Sequence, residues 1–207
     1  LIPFINGFVF SDDSSVGNDG TETVENIHKK RTSLALFSKL ILHGVLKYNT
    51  AAVVLRNFAK DHANFGDIMK TLLIKCRDTN AEACGTAIFV TLRMEFETLT
   101  SPHATSTANM SLVDLLDLSK KLAAQIGNDM RKIRECVTNV HRLGIKFAVS
   151  GMGPNVVGDD TNERDVALPA FFEFLEPHDY IAVAAKKYGG GRMPTGDIYQ
   201  HYSSMLN

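Results

Sequence analysis

Apolar residues recur along most of the chain at the spacing of an α-helix. Between residues 25 and 46 they fall three, four or seven positions apart, which places them on one side of a helix. A helix buries such a stripe because its period of 3.6 residues brings these positions onto one face. The pattern therefore predicts a first long amphipathic helix, with its stripe formed by Ile27, Leu34, Phe37, Leu40, Ile41 and Val45.

Two further helices are predicted from residues that favour helix starts. Thr50 is placed to cap a second helix, which is expected to run to about His62. Gly66 and Asp67 are interpreted as the start of a third helix, because the macrodipole and the free amides at a helix N-terminus favour a carboxylate.

Two pairs of residues have the spacing of a capping box, in which a hydroxyl and a carboxylate satisfy backbone amides reciprocally. Thr79 and Glu82 are predicted to begin a fourth helix, which runs to about residue 99. Ser111 and Asp114 are predicted to begin a fifth helix, which stops at Gly127. Between these two helices the polar stretch that contains a proline is interpreted as a loop.

A sixth helix, capped by Asn128, leads into the segment "HRLGIKFAVSGMGPN" of residues 141–155, which fits two structures. The segment is either a strand that leads into a phosphate-binding turn, or a helix that stops at Gly144 and is followed by a connector to the next helix. The following glycines are spaced G-x-G-x-x-x-x-G rather than G-x-G-x-x-G, and Pro154 removes an amide that would face a phosphate. We therefore favour the helix that stops at Gly144.

The order of elements predicts an all-α fold, because no segment has a clear β period. Successive antiparallel helix pairs joined by short turns are expected to stack as a HEAT-like α-solenoid fragment. The predicted organisation is a flexible acidic segment over 1–24, a helical-repeat core over 25–149, and a divergent loop with short helices over 150–207. Those short helices are expected near residues 169–175, 178–187 and 195–205. The chain is interpreted as a fragment of a longer protein.

Composition and charge narrow the possible functions. The 207 residues carry a formal net charge of −1, which argues against a protein that coats nucleic acid. A local basic patch is nevertheless present on the sixth helix and at its exit. The patch consists of Arg131, Lys132, Arg134, Arg142 and Lys146.

Motifs for catalysis or metal binding are missing from the sequence. Three widely spaced cysteines form no CxxC motif, and seven histidines are scattered singly. There is no G-x-S-x-G elbow, and the acidic pairs lie in loops where carboxylates are normally solvated. We predict no enzyme activity, no metal, no cofactor and no small-molecule substrate. No secretory pattern and no run long enough to span a bilayer are found, so no membrane partner is expected.

Three segments, "IHKKRTSLALFSKLILHGV", "FAKDHANFGDIMKTLLIKCRDTN" and "KKLAAQIGNDMRKIRECVTNVHRLGIKFA", together resemble the stromalin (stromal antigen) family of cohesin subunits. Their order and spacing match over residues 25–149, and the resemblance fades beyond Val149. It implies the C-terminal portion of a large non-enzymatic helical-repeat protein of the nucleus and chromosome. Such proteins bind an extended segment of the kleisin subunit and support sister-chromatid cohesion.

The resemblance also implies which residues hold the partner. The aspartate of the family's "GDI" motif corresponds to Asp67, and the basic residue after histidine in the family's "LHKDGIEF" corresponds to Arg142 of "VHRLGIKF". We place the adjoining Lys70, His141 and Lys146 in the same site. Two alternatives stay open. One is a meiotic chromosome-pairing paralogue with a partner that is not a kleisin, and the other is direct DNA binding on the basic patch of residues 131–146, with Arg131, Lys132 and Arg134 as its expected contacts.

Overall fold

A computed structural model describes residues 1–11, 24–100, 111–127, 129–150 and 171–175. These residues contain eight α-helices and no strand, and the all-α prediction is confirmed for them. The helices are α1 Ile2–Phe4, α2 Val24–Leu42, α3 Ala52–Leu55, α4 His62–Thr79, α5 Ala81–Thr100, α6 Leu112–Ile126, α7 Met130–Ser150 and α8 Phe172–Leu175. A π-helical turn, Ile5–Val9, continues α1, and a 3-10 turn, Tyr48–Ala51, precedes α3.

The helices form two rows. In one row α4 packs between α2 and α6, and in the other α5 packs between α3 with its 3-10 turn and α7. The rows are joined by pairs of consecutive helices, of which α4 and α5 are separated by Asn80 alone. The thiol of Cys84 contacts the carbonyl of Leu73 at 3.8 Å, so this pair turns back on itself. The result is a stack of helix pairs of the kind found in α-solenoids.

The core runs continuously between the two rows. At one end it contains an aromatic cluster in which the rings of α5, α7 and the α8 region meet edge to face at 5.0–6.3 Å. Edge-to-face packing is the favoured geometry for aromatic pairs. Residues 171–175 are therefore a packed part of the fold. The cluster consists of Phe89, Phe96, Phe147, Phe171 and Phe174.

The prediction that a helix stops at Gly144 is wrong. Helix α7 continues to Ser150, and Gly144 lies inside it. A glycine inside a helix costs about 1 kcal/mol relative to alanine, but the turns beyond it bury Ile145 and Ala148 completely or nearly so. Gly144 also leaves room for Leu175, whose side chain would collide with a Cβ at this position. The strand alternative is excluded for residues 141–150, and the glycines beyond them lie outside the described residues.

Two helix starts differ from the sequence prediction. The second helix does not extend from Thr50 to His62, because α3 ends at Leu55 and turns follow it. Helix α4 begins at His62, four residues before the predicted start. Gly66 is buried inside this helix, where a Cβ would lie 2.9 Å from the His62 ring. Asp67 is consequently not an N-terminal carboxylate.

Of the two capping boxes predicted from the sequence, the one at α6 is confirmed and the one at α5 is wrong. The capping box of Ser111 and Asp114 is confirmed, since each side chain bonds the backbone amide of the other residue. The box of Thr79 and Glu82 is wrong, because Thr79 still belongs to α4. Instead, the side chain of Asn80 accepts a hydrogen bond from an amide of the first turn of α5 at 2.9 Å.

We expect a Ser111→Ala substitution to lower the free energy of unfolding by about 1 kcal/mol, because an amide of the first turn of α6 loses its acceptor. Urea unfolding followed by circular dichroism measures this change. A Ser33→Ala substitution within α2, which touches no cap, is the control and is expected to change stability by less than about 0.5 kcal/mol. Equal effects would mean that the box does not stabilise α6.

The remaining differences lie near the chain's beginning and in α2. Residues 2–10 of the segment predicted as flexible are helical or bent, and Ile5 and Val9 are 1% and 2% exposed in the core. Val45, predicted in the first apolar stripe, lies beyond α2 and is exposed. Residues 12–23, the loop of 101–110, Asn128, and the predicted helices of 178–187 and 195–205 lie outside the described residues.

Candidate partner-binding site

Asp67 projects from α4 beside α2, where it meets a cation. Its carboxylate accepts a hydrogen bond from Arg31 at 2.5 Å, and the same guanidinium also donates to the carbonyl oxygen of Asn64. The bond from Arg31 lowers the pKa of Asp67 below its ordinary value, so the carboxylate is charged at neutral pH. The Asp67 side chain nevertheless remains 64% exposed, which leaves it accessible to a partner.

Arg142 projects from α7 toward the first turn of α5. Its guanidinium donates to Oδ1 of Asn139 at 2.6 Å and to Oε1 of Glu82 at 3.2 Å. The side chains of Arg142 and Glu82 are 52% and 68% exposed, so this ion pair is screened by solvent. Arg142 is therefore oriented by two neighbours and still open to a partner.

Asn139 is the buried centre of this group. Its amide nitrogen donates to the carbonyl oxygen of Glu82 at 2.7 Å and to the hydroxyl of Thr86 at 2.8 Å. These two bonds fix the amide orientation, so its oxygen faces Arg142. The close packing of α5 against α7 depends on Gly85 of α5, since a Cβ there would collide with the carbonyl oxygen of Cys136 of α7.

A polar cavity of about 670 Å³ lies beside Glu82. Its walls come from the end of α4, the turn to α5 and the first turns of α7. Arg77 is held in the wall by Asp78 and by the carbonyl oxygen of Ile126, which it caps. The cavity thus opens next to the Arg142 pair and offers space to a polar segment. Its lining consists of Arg77, Asp78, Thr79, Asn80, Ala81, Glu82, Lys132 and Glu135.

Asp67 and Arg142 lie near opposite ends of α4. Asp67 is in the second turn of that helix, whereas Arg142 contacts Glu82, which follows the end of α4 by three residues. At 1.5 Å per residue the two charges are separated by roughly 20 Å along the helix. One extended segment of about six residues spans this distance.

The residues placed beside these two charges differ in exposure. Lys146 is exposed on α7 and Lys70 is half-buried on α4. His141, however, is fully buried at 0% exposure. The prediction that His141 contacts a partner is therefore wrong for this structure. Its place next to Arg142 in the sequence turns it inward, because adjacent residues lie about 100° apart around a helix.

The basic patch predicted for DNA is not one continuous surface. Lys132 lies in the cavity wall with an acidic residue, Glu135, one turn further along. Arg134 is exposed, but the helical period places it well round from Lys132, on another side of α7. Arg131 belongs to α7, although its side chain lies outside the described residues. One face of α7 carries Lys132, Glu135, Asn139, Arg142 and Lys146, which we call the α7 polar face.

The three cysteines meet in the core, although they are far apart in sequence. Contacts with Cys136 and Cys76, together with burial, raise the pKa of the Cys84 thiol well above its ordinary value. Protonated thiols are poor nucleophiles and poor metal ligands. Over the described part of the chain, no group of three or more His, Cys, Asp or Glu side chains is arranged to hold a metal. None of the helices described there has the length and apolar character needed to cross a membrane.

Sequence reasoning missed three residues of this site: Arg31, Glu82 as an ion-pair partner, and Asn139. Arg31 and Glu82 contact Asp67 and Arg142 only because helices distant in sequence pack together, whereas Asn139 contacts Arg142 from one turn away on the same helix. The α7 polar face was the available signal, since its members recur at spacings of three and four residues.

Comparisons with known proteins identify a family for this chain. Residues 81–177 match the model of the STAG protein C-terminal domain. Cohesin subunit scc-3 of Caenorhabditis elegans is 31% identical over 145 residues, which cover 70% of this chain and 13% of that protein. Cohesin subunit SA-3 of Homo sapiens is 27% identical over 160 residues, covering 74% of this chain and 13% of that protein. Cohesin subunit SA-1 of Xenopus laevis is 29% identical over 163 residues, which cover 74% of this chain and 13% of that protein.

The matches cover a small part of each relative, and they extend further along this chain than predicted from the sequence. The chain spans about 13% of the length of the curated relatives it matches. The family model continues to residue 177, beyond Val149, where the resemblance was expected to fade. The packing of Phe171, Phe174 and Leu175 into the core gives a physical reason for this extension.

Proposed function

Since the resemblance of this chain to the stromalin family is confirmed, we propose that the chain is a non-enzymatic helical scaffold of a cohesin-type complex that binds an extended kleisin segment. The scaffold supports sister-chromatid cohesion, and its place is the nucleus and the chromosome. Asp67 and Arg142 are the principal contacts, with Lys70 and Lys146 beside them.

The observation that carries this proposal is the pair of exposed, opposite charges that the fold orients before a partner arrives. Asp67 is held by Arg31, and Arg142 is held by Asn139 and Glu82. A side chain that is already oriented loses less conformational entropy on binding. A segment that runs along α4 with a basic residue at one end and an acidic residue about six positions away would satisfy both charges.

Direct DNA binding is the second candidate, and Lys132, Arg134 and Lys146 are the exposed cations that favour it. Glu135 interrupts this surface and Glu82 pairs with Arg142. The chain's formal net charge of −1 adds no general attraction to phosphate. We therefore place the peptide partner first.

Binding titrations at several salt concentrations distinguish the two candidates. We expect overlapping peptides that cover a kleisin subunit to include one that binds with a shallow salt dependence, because few ion pairs form. Duplex DNA that the chain binds through several phosphates would lose affinity steeply as salt rises. The slope of log affinity against log salt is about −0.9 for each phosphate contacted. Binding to DNA alone would contradict the kleisin proposal. If neither ligand bound but another chromosomal protein did, the alternative of a different partner would take its place.

A further inference from the structure

We infer that Glu82 is an exchangeable counter-ion, which a carboxylate of the bound segment displaces from Arg142. The inference rests on the proposed function and adds a residue that tunes specificity at the same site. Asn139 is the positioning residue in this arrangement, because it stays with Arg142 when Glu82 leaves.

The two partners of Arg142 differ in how firmly they are held. Asn139 is 3% exposed, bonds Arg142 at 2.6 Å, and has its amide fixed by two further hydrogen bonds. Glu82 bonds Arg142 at 3.2 Å, and its side chain is 68% exposed. Only the Glu82 carboxylate can turn away into solvent without leaving a buried polar group unsatisfied.

Space for the incoming carboxylate lies next to Glu82. The cavity of about 670 Å³ is lined by Glu82 itself and by Lys132 of the α7 polar face. A carboxylate that enters from this side reaches Glu82, the partner of Arg142, and Lys132 gives the wall a positive charge. The other cation of the wall, Arg77, is already bonded to Asp78 and to a carbonyl oxygen.

Competition follows from this geometry. In the free chain Glu82 satisfies part of the Arg142 guanidinium, so a partner gains only the difference between its own carboxylate and Glu82. A segment with a well-placed acid displaces Glu82, whereas a segment without one gains nothing at Arg142. Glu82 therefore lowers affinity for every acidic segment and raises the requirement for a correctly placed acid.

The test is a Glu82→Gln substitution, which keeps the shape of the side chain and removes its charge. We expect the kleisin segment that binds the wild-type chain to bind this variant about two- to fivefold more tightly, the range that an exposed ion pair allows. Glu97→Gln is the matched control. Glu97 is also an exposed glutamate of α5, but it pairs with Arg93, away from Arg142, at 2.8 Å. The kleisin segment should bind Glu97→Gln with the same affinity as it binds the wild type.

A second arm needs no kleisin. The Nε–Hε NMR signal of Arg142, assigned by its loss in Arg142→Lys, is followed while a tetra-aspartate peptide is added. We expect the half-maximal shift at a peptide concentration about two- to fivefold lower in Glu82→Gln than in the wild type.

The outcomes separate this inference from the proposed function. If the wild type binds a kleisin segment and Glu82→Gln binds it equally or more weakly, Glu82 is not a competitor and the inference is overturned, while the proposed function stands. If no kleisin segment binds at all, the proposed function fails. The NMR experiment then decides the inference by itself. The inference would be overturned if the half-maximal shift occurred at the same peptide concentration in Glu82→Gln and in the wild type.

Discussion

A Gly85→Ala substitution is expected to lower the free energy of unfolding by about 1–3 kcal/mol, although alanine is the better helix former. The added Cβ would collide with the carbonyl oxygen of Cys136, and a backbone atom cannot rotate away. Helix α7 must therefore shift from α5, which strains the bonds that Asn139 makes to Glu82 and Thr86. Urea unfolding measures the loss.

Two other glycines provide the comparison for this prediction. Gly7→Ala meets no atom within 4 Å, so its stability should stay near that of the wild type. Gly144→Ala meets the end of the Leu175 side chain, which can rotate, and we expect a smaller loss than for Gly85→Ala. If Gly85→Ala behaved like Gly7→Ala, α5 and α7 would not pack as closely as described.

The periodic stripes predicted most of the helices because burial of an apolar face dominates helix formation. Two of the errors in helix bounds have a common physical origin in glycine. Gly66 and Gly144 were interpreted as boundaries, yet both lie inside helices. A local cost of about 1 kcal/mol is outweighed when the flanking turns bury residues such as Met69 and Ala148, which are 0% exposed. Gly127, by contrast, does end its helix, with φ at +92°.

The candidate site was predicted only in part, because its charges were identified without their partners. Arg31 reaches Asp67 across 36 positions of sequence, and Glu82 reaches Arg142 across 60. No local pattern encodes such pairs, since they depend on which helices become neighbours. Glu82 shows the difficulty well. It was interpreted as a capping residue, whereas Asn80 caps α5 and leaves the glutamate to pair with α7.

An Asp67→Lys substitution is expected to weaken binding of the kleisin segment by about 2–5 kcal/mol, because a charge that the segment desolvates is replaced by its opposite. Calorimetric titration measures this change in affinity. The fold should hardly respond. Asp67 is an exposed residue, and the ion pair that it forms with Arg31 contributes only about 0–1 kcal/mol to stability. Helical circular dichroism and the urea midpoint check that expectation.

The control for this variant must remove an exposed ion pair and change the net charge equally. Asp117→Lys does both, since Asp117 is 53% exposed on α6 and pairs with Lys121 at 2.7 Å. If both variants lost affinity equally, the change in net charge would explain the loss and Asp67 would hold no special place. If only Asp67→Lys lost affinity, the contact lies on α4. Arg142→Glu should then also lose affinity, because one segment spans both ends of that helix.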